Sequence, residues 1–297
     1  MSKGGLTTKE AILYHKLDED QVKCSVCHQA CTISEGKRGI CGVRENREGK
    51  LYTLNYGLTI AANIDPIEKK PLYHFLPGTR TYSLAAAGCN FRCPWCQNWE
   101  VAQSPKPHKQ VEGIAVSPEE HVRRVLEYGC PSIAYTYSEP TIFVEYALEI
   151  MKLARVKGLK NVWVTNGYMS RETLEAILPY LDAANVDFKG PDDAVYGTYC
   201  GGMAEPIMGN LKLLHKAGVH LEITTLVIPG VNDKPSQLEE IARFISSELS
   251  SDVPWHVSRF FPAWKMTDTP VTSVETLKRA RAIGEAAGLK FIYLGNV

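Results

Sequence analysis

Residues 82–98 read YSLAAAGCNFRCPWCQN, a strand-length apolar run followed by a loop that carries Cys89, Cys93 and Cys96. A 4Fe-4S cluster ligated only by protein uses four thiolates, and this CxxxCxxC loop supplies three. Three thiolates leave one iron open, and an open iron can bind the amino and carboxylate groups of a small molecule. The spacing therefore predicts a redox-active 4Fe-4S cluster with a free coordination position. A zinc knuckle with a distant fourth ligand is the alternative.

From about residue 82 onward, short β-branched or apolar runs alternate with amphipathic stretches of helical length. This alternation is typical of parallel strands joined by crossover helices. Six or seven such units are too few for an eight-unit barrel, so the sequence predicts an α/β fold, an open or partial (β/α)6 TIM-type barrel over residues 81–297. In such folds active sites gather at the carboxyl ends of the strands. The predicted strands are YSLAAAG, SIAYTY, NVWVTN, AANVDFK, HLEITTLVIP, WHVSRFF and KFIYLG.

Residues 1–80 have a different character, with grouped cysteines, frequent glycines and short strand-like pieces such as LYTLNYG. We expect a small cysteine-rich cap here rather than further barrel units. The cap contains Cys24, Cys27, Cys31 and Cys41, enough thiolates to close a tetrahedral zinc site or to ligate a second 4Fe-4S cluster. The pattern predicts a bound metal and leaves both possibilities open.

The overall composition argues against some partners. The 297 residues include 33 basic and 33 acidic side chains, so net charge gives no reason to expect a nucleic-acid backbone or an acidic membrane surface. The sequence has no run of about 20 apolar residues and no signal-peptide core, which predicts a cytoplasmic protein. In that reducing compartment, grouped cysteines are expected to bind metal. Cys130 and Cys200 stand alone and are expected to be ordinary buried thiols.

The cysteine loop after the first barrel strand resembles that of the radical S-adenosylmethionine (SAM) superfamily. Further strings are similar to the pyruvate formate-lyase activating enzymes and, within that branch, to the AmmeMemoRadiSam group. Together with the early cysteines they extend over almost the whole chain. They are DPIEKKPLYHFLPG (65–78), GCNFRCPWCQN (88–98), YTYSEPT (135–141), VTNGY (164–168), VDFKG (186–190), IPGVND (228–233) and WHVSRFFP (255–262).

This resemblance implies a particular chemistry. The cluster of Cys89, Cys93 and Cys96 would give one electron to SAM, which then splits into methionine and a 5'-deoxyadenosyl radical. The radical would abstract a hydrogen atom from an unidentified substrate. A reducing partner such as flavodoxin or ferredoxin would supply the electron, and Phe91 and Trp95 would shield the cluster.

The resemblance also implies SAM-binding residues at the strand ends. Glu139 and Asp187 would lie by the methionyl group of SAM, and Lys189, on the same strand face as Asp187, suits a carboxylate. An internal salt-bridge network is the alternative for these three residues. Thr165 and Asn166 would contact the ribose or the methionine, or would only form a turn.

The resemblance implies less specific roles for several further residues. His256 would reach the ribose of SAM, or it is a buried core residue. Residues 65–78 would line the substrate side of the site, as the family implies, or would form a solvated linker with a hydrophobic anchor. Arg259 and the IPGVND turn would border the site.

Several functions remain open from the sequence. The AmmeMemoRadiSam resemblance favours direct modification of an unidentified small molecule, peptide or nucleic acid, and the alternative is installation of a glycyl radical on a partner enzyme. A different class is a non-catalytic iron-sulfur or zinc protein, which predicts no SAM binding. Related sequences often continue past a GNV-like string into a cysteine-containing tail, whereas this sequence ends at Val297. We expect that any function of that tail is absent or that the protein differs in that part.

Overall fold

The computed structural model describes residues 8–108 and 110–297 of the chain. Its amino-terminal part consists of short strands, because residues with positive φ, many of them glycines, turn the chain every few residues. These strands are β1 (Lys9–Glu10), β2 (Tyr14–Lys16), β3 (Val22–Cys24), β4 (Thr32–Ile33), β5 (Arg44–Arg47), β6 (Lys50–Thr53), β7 (Leu58–Thr59) and β8 (Ala61–Pro66). Strands β1, β6 and β5 form one small sheet in that order, and β2, β3 and β4 form another.

One large open sheet forms the rest of the framework. Its further strands are β9 (Arg80–Ala85), β11 (Ser132–Tyr135), β12 (Lys160–Thr165), β13 (Ala183–Asp187), β14 (His220–Val227), β15 (Trp255–Arg259) and β16 (Ile292–Gly295). These strands lie side by side in chain order, and each is parallel to the next. Strand β8 pairs antiparallel with β9 at one edge, while β10 (Ile114–Ala115) pairs with β7. The predicted α/β fold with a partial barrel of parallel strands is confirmed.

Helices connect the parallel strands, and local sequence sets their ends. Ser117 caps α3 because its side chain accepts a hydrogen bond from the N–H of Glu120 at 3.2 Å, and Gly129, with φ of 62°, lies just past the end. The helices are α1 (Trp99–Gln103), α2 (Pro105–His108), α3 (Pro118–Glu127), α4 (Val144–Val156), α5 (Arg171–Ile177), α6 (Asp193–Val195), α7 (Ala204–Lys216), α8 (Pro235–Phe244) and α9 (Val274–Ala286). Short 3₁₀ turns span Ile67–Lys69, Pro140–Phe143 and Leu178–Tyr180, and π-helical turns span Tyr196–Cys200 and Ile245–Leu249.

The two faces of the large sheet differ in what they contact. Tyr82 of β9 packs against His121 of α3, and Phe188, next to the end of β13, packs against Phe244 of α8. These side chains therefore point outward to the helices. Because successive strand residues point to opposite faces, Asp187 belongs to the inner face. The inner face thus carries polar groups at the carboxyl ends of the strands, where the sequence predicts the site.

Residues 65–78 fill the amino-terminal end of this inner face. Small side chains on three strands leave room there for larger apolar side chains from the segment. This cluster consists of Ile67, Leu72, Ala134, Val162 and Ala183, with Phe75 against it. Apolar burial fixes this part of the segment at the amino-terminal end of the sheet and agrees with the predicted hydrophobic anchor. Asp65 and Lys70 contact Tyr137, which follows the carboxyl end of β11. That the segment lines the substrate side stays a prediction.

Glu222 of β14 holds this segment in place. Its carboxylate is fully buried and accepts hydrogen bonds from the N–H groups of Tyr73 (3.0 Å) and His74 (2.8 Å). It also accepts from the Nε2 atoms of His220 (3.0 Å) and His256 (2.6 Å). Burial by itself raises the pKa of a carboxyl group, but these four donors bring the pKa of Glu222 down to about 2. The carboxylate therefore stays ionised and binds the segment to the sheet.

Replacing Glu222 by leucine is expected to lower the free energy of unfolding by about 3 kcal/mol, because four donors, of which that of His256 is buried, lose their acceptor. In the wild-type chain this stabilisation is present above the unfolded pKa of about 4.3 and is lost as pH falls through about 2. Urea unfolding followed by circular dichroism measures the change. The control is Glu275→Leu on the exposed face of α9. Equal, small losses in both variants would contradict the role of Glu222.

Helices of the length and apolar character needed to cross a lipid bilayer do not occur in residues 8–108 and 110–297.

Candidate active site

The cluster loop, residues 86–98, leaves the carboxyl end of β9 and runs to the start of α1. Gly88 allows this loop to approach the amino-terminal cap closely. It has φ of 110°, and an added Cβ would lie 3.1 Å from the backbone oxygen of Cys41 and 3.0 Å from the Val43 side chain. The N–H of Phe91 donates a hydrogen bond to the thiol of Cys89 at 3.3 Å. The loop is therefore held between the sheet and the cap.

The thiols of Cys89, Cys93 and Cys96 lie near two cations, the partly buried Lys106 and the buried Lys189. Burial raises the pKa of Cys89 and also that of Cys96, the latter to about 11. Lys106 opposes this shift at Cys89, and Lys189 opposes it at Cys93 and Cys96. A thiolate that is shielded from water needs a positive charge nearby, and bound iron supplies one. Three partly buried thiols with two cations beside them therefore fit an iron-sulfur cluster.

Cys200 lies beside Cys93. Its thiol is within hydrogen-bonding reach of Cys93 and is the main cause of the raised pKa of Cys93, with burial adding to it. The N–H of Arg92 donates to the backbone oxygen of Cys200 at 2.9 Å, which holds the π-helical turn against the cluster loop. Cys200 is buried, as predicted for a lone cysteine. Its contact with the cluster loop has no signal in the sequence.

Glu139 connects the carboxyl ends of β11 and β12. Its buried carboxylate accepts hydrogen bonds from the Thr165 hydroxyl at 2.7 Å and the Asn166 N–H at 2.8 Å. The hydroxyl and N–H of Thr141 donate to it at 2.6 and 3.1 Å. Burial raises the pKa of Glu139, and these donors oppose that shift. The structure thus brings three predicted site residues, Glu139, Thr165 and Asn166, into direct contact.

Asn90 links this group to the cluster loop. The Nδ2 of Asn166 donates to the Oδ1 of Asn90 at 2.8 Å, and Asn90 follows Cys89 directly. The Oδ1 of Asn166 also accepts from the N–H of Tyr168 at 2.9 Å, so its amide is fixed from both sides. Sequence reasoning singled out the cysteines and missed Asn90. The sequence signal that could have identified Asn90 is its position between Cys89 and Cys93 in the CxxxCxxC motif.

Asp187 and Lys189 form an ion pair with 2.7 Å between their charged atoms. Lys189 is buried, whereas 43% of the Asp187 side chain is exposed. Burial lowers the pKa of a lysine, yet Asp187 and then Cys93 raise the pKa of Lys189 well above its usual value. Asn232 of the IPGVND turn donates to the backbone oxygen of Lys189 at 3.1 Å and holds the strand end. Lys189 is thus a fixed positive charge between Asp187 and Cys93.

His256 belongs to a different group. In the sheet it pairs with Thr224, which pairs in turn with Asp187, so His256 lies two strands away from Asp187. Its Nε2 is bonded to Glu222, and its ring packs against Tyr73 with 4.7 Å between ring centroids. The other five predicted SAM-binding residues lie around the cluster loop.

The four cysteines of the cap converge on one cavity. Cys24, Cys27, Cys31 and Cys41 all line this space. Asn90 lines it too, so the cavity adjoins the cluster loop. Burial raises the pKa of Cys24 to about 11. In residues 8–108 and 110–297, no three His, Cys, Asp or Glu side chains have the close spacing that holds a single metal ion.

The fold and the loop together define a class of protein. An open barrel of parallel strands with three cysteines at the carboxyl end of its first parallel strand is the framework of an iron-sulfur enzyme that leaves one iron free. A model of the radical SAM superfamily matches residues 84–245, which is more than half of the chain. The chain belongs to the radical SAM superfamily.

Individual relatives agree with this family. The uncharacterized protein MJ0808 of Methanocaldococcus jannaschii is 45% identical over 289 residues, which cover 97% of this chain and 85% of that protein. The isethionate sulfite-lyase activating enzyme of Desulfovibrio desulfuricans is 29% identical over 111 residues, 37% of this chain and 36% of that enzyme. The crystal structure of a radical SAM methyltransferase from Sphaerobacter thermophilus has a TM-score of 0.59 at 14% identity, covering 98% of this chain and 78% of that one. This last match shows the fold alone.

Proposed function

We propose that the chain is a radical SAM enzyme in which Cys89, Cys93 and Cys96 hold a 4Fe-4S cluster. The observation that carries the proposal is the position of these partly buried thiols at the carboxyl end of β9, with Lys106 and Lys189 beside them. When bound, the cluster supplies one electron to SAM, which splits into methionine and a 5'-deoxyadenosyl radical that takes a hydrogen atom from the substrate.

Asp187 and Lys189 have complementary tasks in this proposal. The partly exposed carboxylate of Asp187 binds the amino group of SAM, because it is the accessible anion next to the cluster loop. Lys189 fixes the orientation of that carboxylate and balances the thiolate charge of Cys93. The amide of Asn166 and the hydroxyl of Thr165 face the same strand ends and orient the rest of SAM.

Glu139 and His256 act through other residues in this proposal. The carboxylate of Glu139 accepts three hydrogen bonds at Oε1 and one, from the Asn166 N–H, at Oε2, so in this proposal it positions Asn166. His256 likewise positions Glu222, two strands away from Asp187, and we assign it no contact with the ribose.

The substrate of the hydrogen abstraction is an unidentified molecule, and resemblance to the AmmeMemoRadiSam group favours its direct modification. Activation of a glycyl radical enzyme is the second candidate, because the chain is similar to an isethionate sulfite-lyase activating enzyme. We expect the protein to work in the reducing cytoplasm with a flavodoxin or ferredoxin as electron donor. A glycine-centred radical in a co-expressed partner enzyme would favour the second candidate, and a modified small molecule would favour the first.

Electron paramagnetic resonance (EPR) tests whether SAM binds at the open iron. The protein is reconstituted with iron and sulfide without oxygen, reduced with dithionite, and measured with and without SAM. The proposal predicts that SAM changes the g values of the reduced cluster, because it becomes an iron ligand. Identical spectra at saturating SAM would contradict it.

Asp187→Asn is expected to raise the KM for SAM about tenfold to a hundredfold, because a hydrogen bond between charged groups is lost. The effect on kcat should be smaller, since the cluster ligands are unchanged. The control is Asp252→Asn, which removes an exposed ion pair with Lys290. Unchanged SAM kinetics in Asp187→Asn would remove Asp187 from the SAM site.

A further inference from the structure

The turn that follows β11 has a strained backbone. The N–H of Ser138 donates a hydrogen bond to the backbone oxygen of Thr136 at 2.8 Å, and Tyr137 between them has φ of 64°. A hydrogen bond of this kind across one residue with positive φ defines a γ-turn of the rare, strained form. A glycine adopts this φ without steric cost, whereas a tyrosine does not. Such strain persists only where the surrounding contacts hold it.

The side chain of Tyr137 is anchored to a buried ion pair. Its hydroxyl donates a hydrogen bond to the carboxylate of Asp65, and the Nζ of Lys70 lies 4.4 Å from the centroid of its ring. Asp65 and Lys70 are 4% and 2% exposed, with 2.6 Å between their charged atoms. The amide of Asn63 donates to the same hydroxyl at 3.3 Å. Three residues therefore hold the tyrosine ring in one position.

The protonation states of the two partners suit this anchor. Burial by itself raises the pKa of Asp65, but hydrogen bonds from Lys70, Tyr137 and Lys69 bring that pKa well below its usual range. Burial and then the hydrogen bond to Asp65 raise the pKa of Tyr137 to about 12. At neutral pH the carboxylate is therefore ionised and the phenol keeps its proton, so the bond between them is charge-assisted.

The same turn contacts both ends of the cluster loop. The backbone oxygen of Tyr137 accepts a hydrogen bond from the Nδ2 of Asn98, the last residue of the loop, at 2.9 Å. The hydroxyl of Ser138 donates to the backbone oxygen of Ala86, the first residue of the loop, at 2.6 Å. Glu139 comes next in the chain. One turn thus connects the cluster loop with the hydrogen-bonded group around Glu139.

We propose that Tyr137 is a positioning residue of the SAM site. Its phenol, bound by Asp65 and Lys70, holds the γ-turn in its strained form, and the turn fixes both ends of the cluster loop. This anchoring explains why a tyrosine stands at a position that glycine would occupy without strain. The effect on SAM rests on the function proposed above, whereas the holding of the loop does not.

Three variants separate the anchor from the strain. Tyr137→Gly removes both, and Tyr137→Phe keeps the ring and the strain but loses the hydrogen bond to Asp65. Glu48→Gly is the matched control, because Glu48 has φ of 52° and is exposed in the hairpin between β5 and β6. If Tyr137 served only the stability of the fold, the loop and the affinity for SAM would be unchanged in variants that remain folded.

Hydrogen exchange followed by mass spectrometry tests the holding of the loop in the anaerobically reconstituted chain. In Tyr137→Gly we expect the amides of residues 86–98 to exchange about tenfold faster than in the wild type, and those of α9 to exchange at the wild-type rate. Tyr137→Phe should give an increase of about threefold in residues 86–98, and Glu48→Gly none. Equal rates in the wild type and Tyr137→Gly would overturn the proposal. If Tyr137→Gly does not fold, equal rates in Tyr137→Phe would do so.

Titration of SAM into the reduced chain, followed by EPR, tests the effect on the SAM site. The SAM concentration that gives half of the change in g values should rise about tenfold in Tyr137→Gly and about threefold in Tyr137→Phe, and stay unchanged in Glu48→Gly. An unchanged concentration in both Tyr137 variants would overturn the positioning role. A wild-type chain whose g values do not respond to SAM would instead contradict the proposed function, and hydrogen exchange then still decides whether Tyr137 holds the loop.

Discussion

Cys93→Ala/Cys200→Ala is expected to lower the rate of 5'-deoxyadenosine formation about a thousandfold or more, equivalent to about 4 kcal/mol. The loop supplies only three ligands, so two thiolates remain to hold a four-iron core. Lys189 also loses the thiolate that it faces. Reconstitution followed by iron analysis and single-turnover assays measures both the loss of the cluster and the loss of product.

The position of Cys200 determines the design of this experiment. Its thiol lies beside Cys93 and is able to act as a substitute ligand in the single variant. Cys93→Ala/Cys200→Ala removes that possibility, and Cys130→Ala serves as the matched loss of a buried thiol elsewhere. Product formation by Cys93→Ala/Cys200→Ala at the wild-type rate would show that the cluster loop does not hold the catalytic cluster.

Glu139→Leu is expected to lower kcat/KM for SAM about a hundredfold, or about 2.7 kcal/mol. Four donors at the ends of β11 and β12 then lose their acceptor, and Asn166 loses its fixed position against Asn90. We also expect a loss of about 3 kcal/mol in the free energy of unfolding. Steady-state assays and urea unfolding measure these two effects.

Glu139→Gln separates positioning from charge. It keeps the shape of the side chain and one acceptor oxygen, so we expect it to recover much of kcat while KM for SAM stays raised. Glu127→Gln on the exposed end of α3 is the matched control. Wild-type values of kcat/KM in Glu139→Leu would contradict the positioning role.

The sequence predicts much of this molecule because its signals are local. The parallel strands follow from apolar runs of strand length, and the cluster loop follows from three closely spaced cysteines. The sequence also predicts that Glu139, Thr165 and Asn166 lie at one edge of the sheet, where the carboxyl ends of neighbouring parallel strands meet. It does not predict their direct hydrogen bonds.

Other features depend on residues that are distant in the sequence. The segment of residues 65–78 fills the inner face because Ala134, Val162 and Ala183 are small, and no local pattern pairs it with them. In the sequence Glu222 has no feature that distinguishes it from other strand residues. In the structure two histidines and two backbone N–H groups donate hydrogen bonds to it. Such contacts arise only when the strands are assembled, so the sequence alone does not reveal them.

The function is tested most directly by the cleavage of SAM itself. The anaerobically reconstituted chain is reduced with dithionite and mixed with SAM, and methionine and 5'-deoxyadenosine are quantified. Our account predicts both products in equal amounts from the wild-type chain and neither from Cys93→Ala/Cys200→Ala. A wild-type chain that holds its full iron content and yields no 5'-deoxyadenosine would contradict the assignment of a radical SAM reaction.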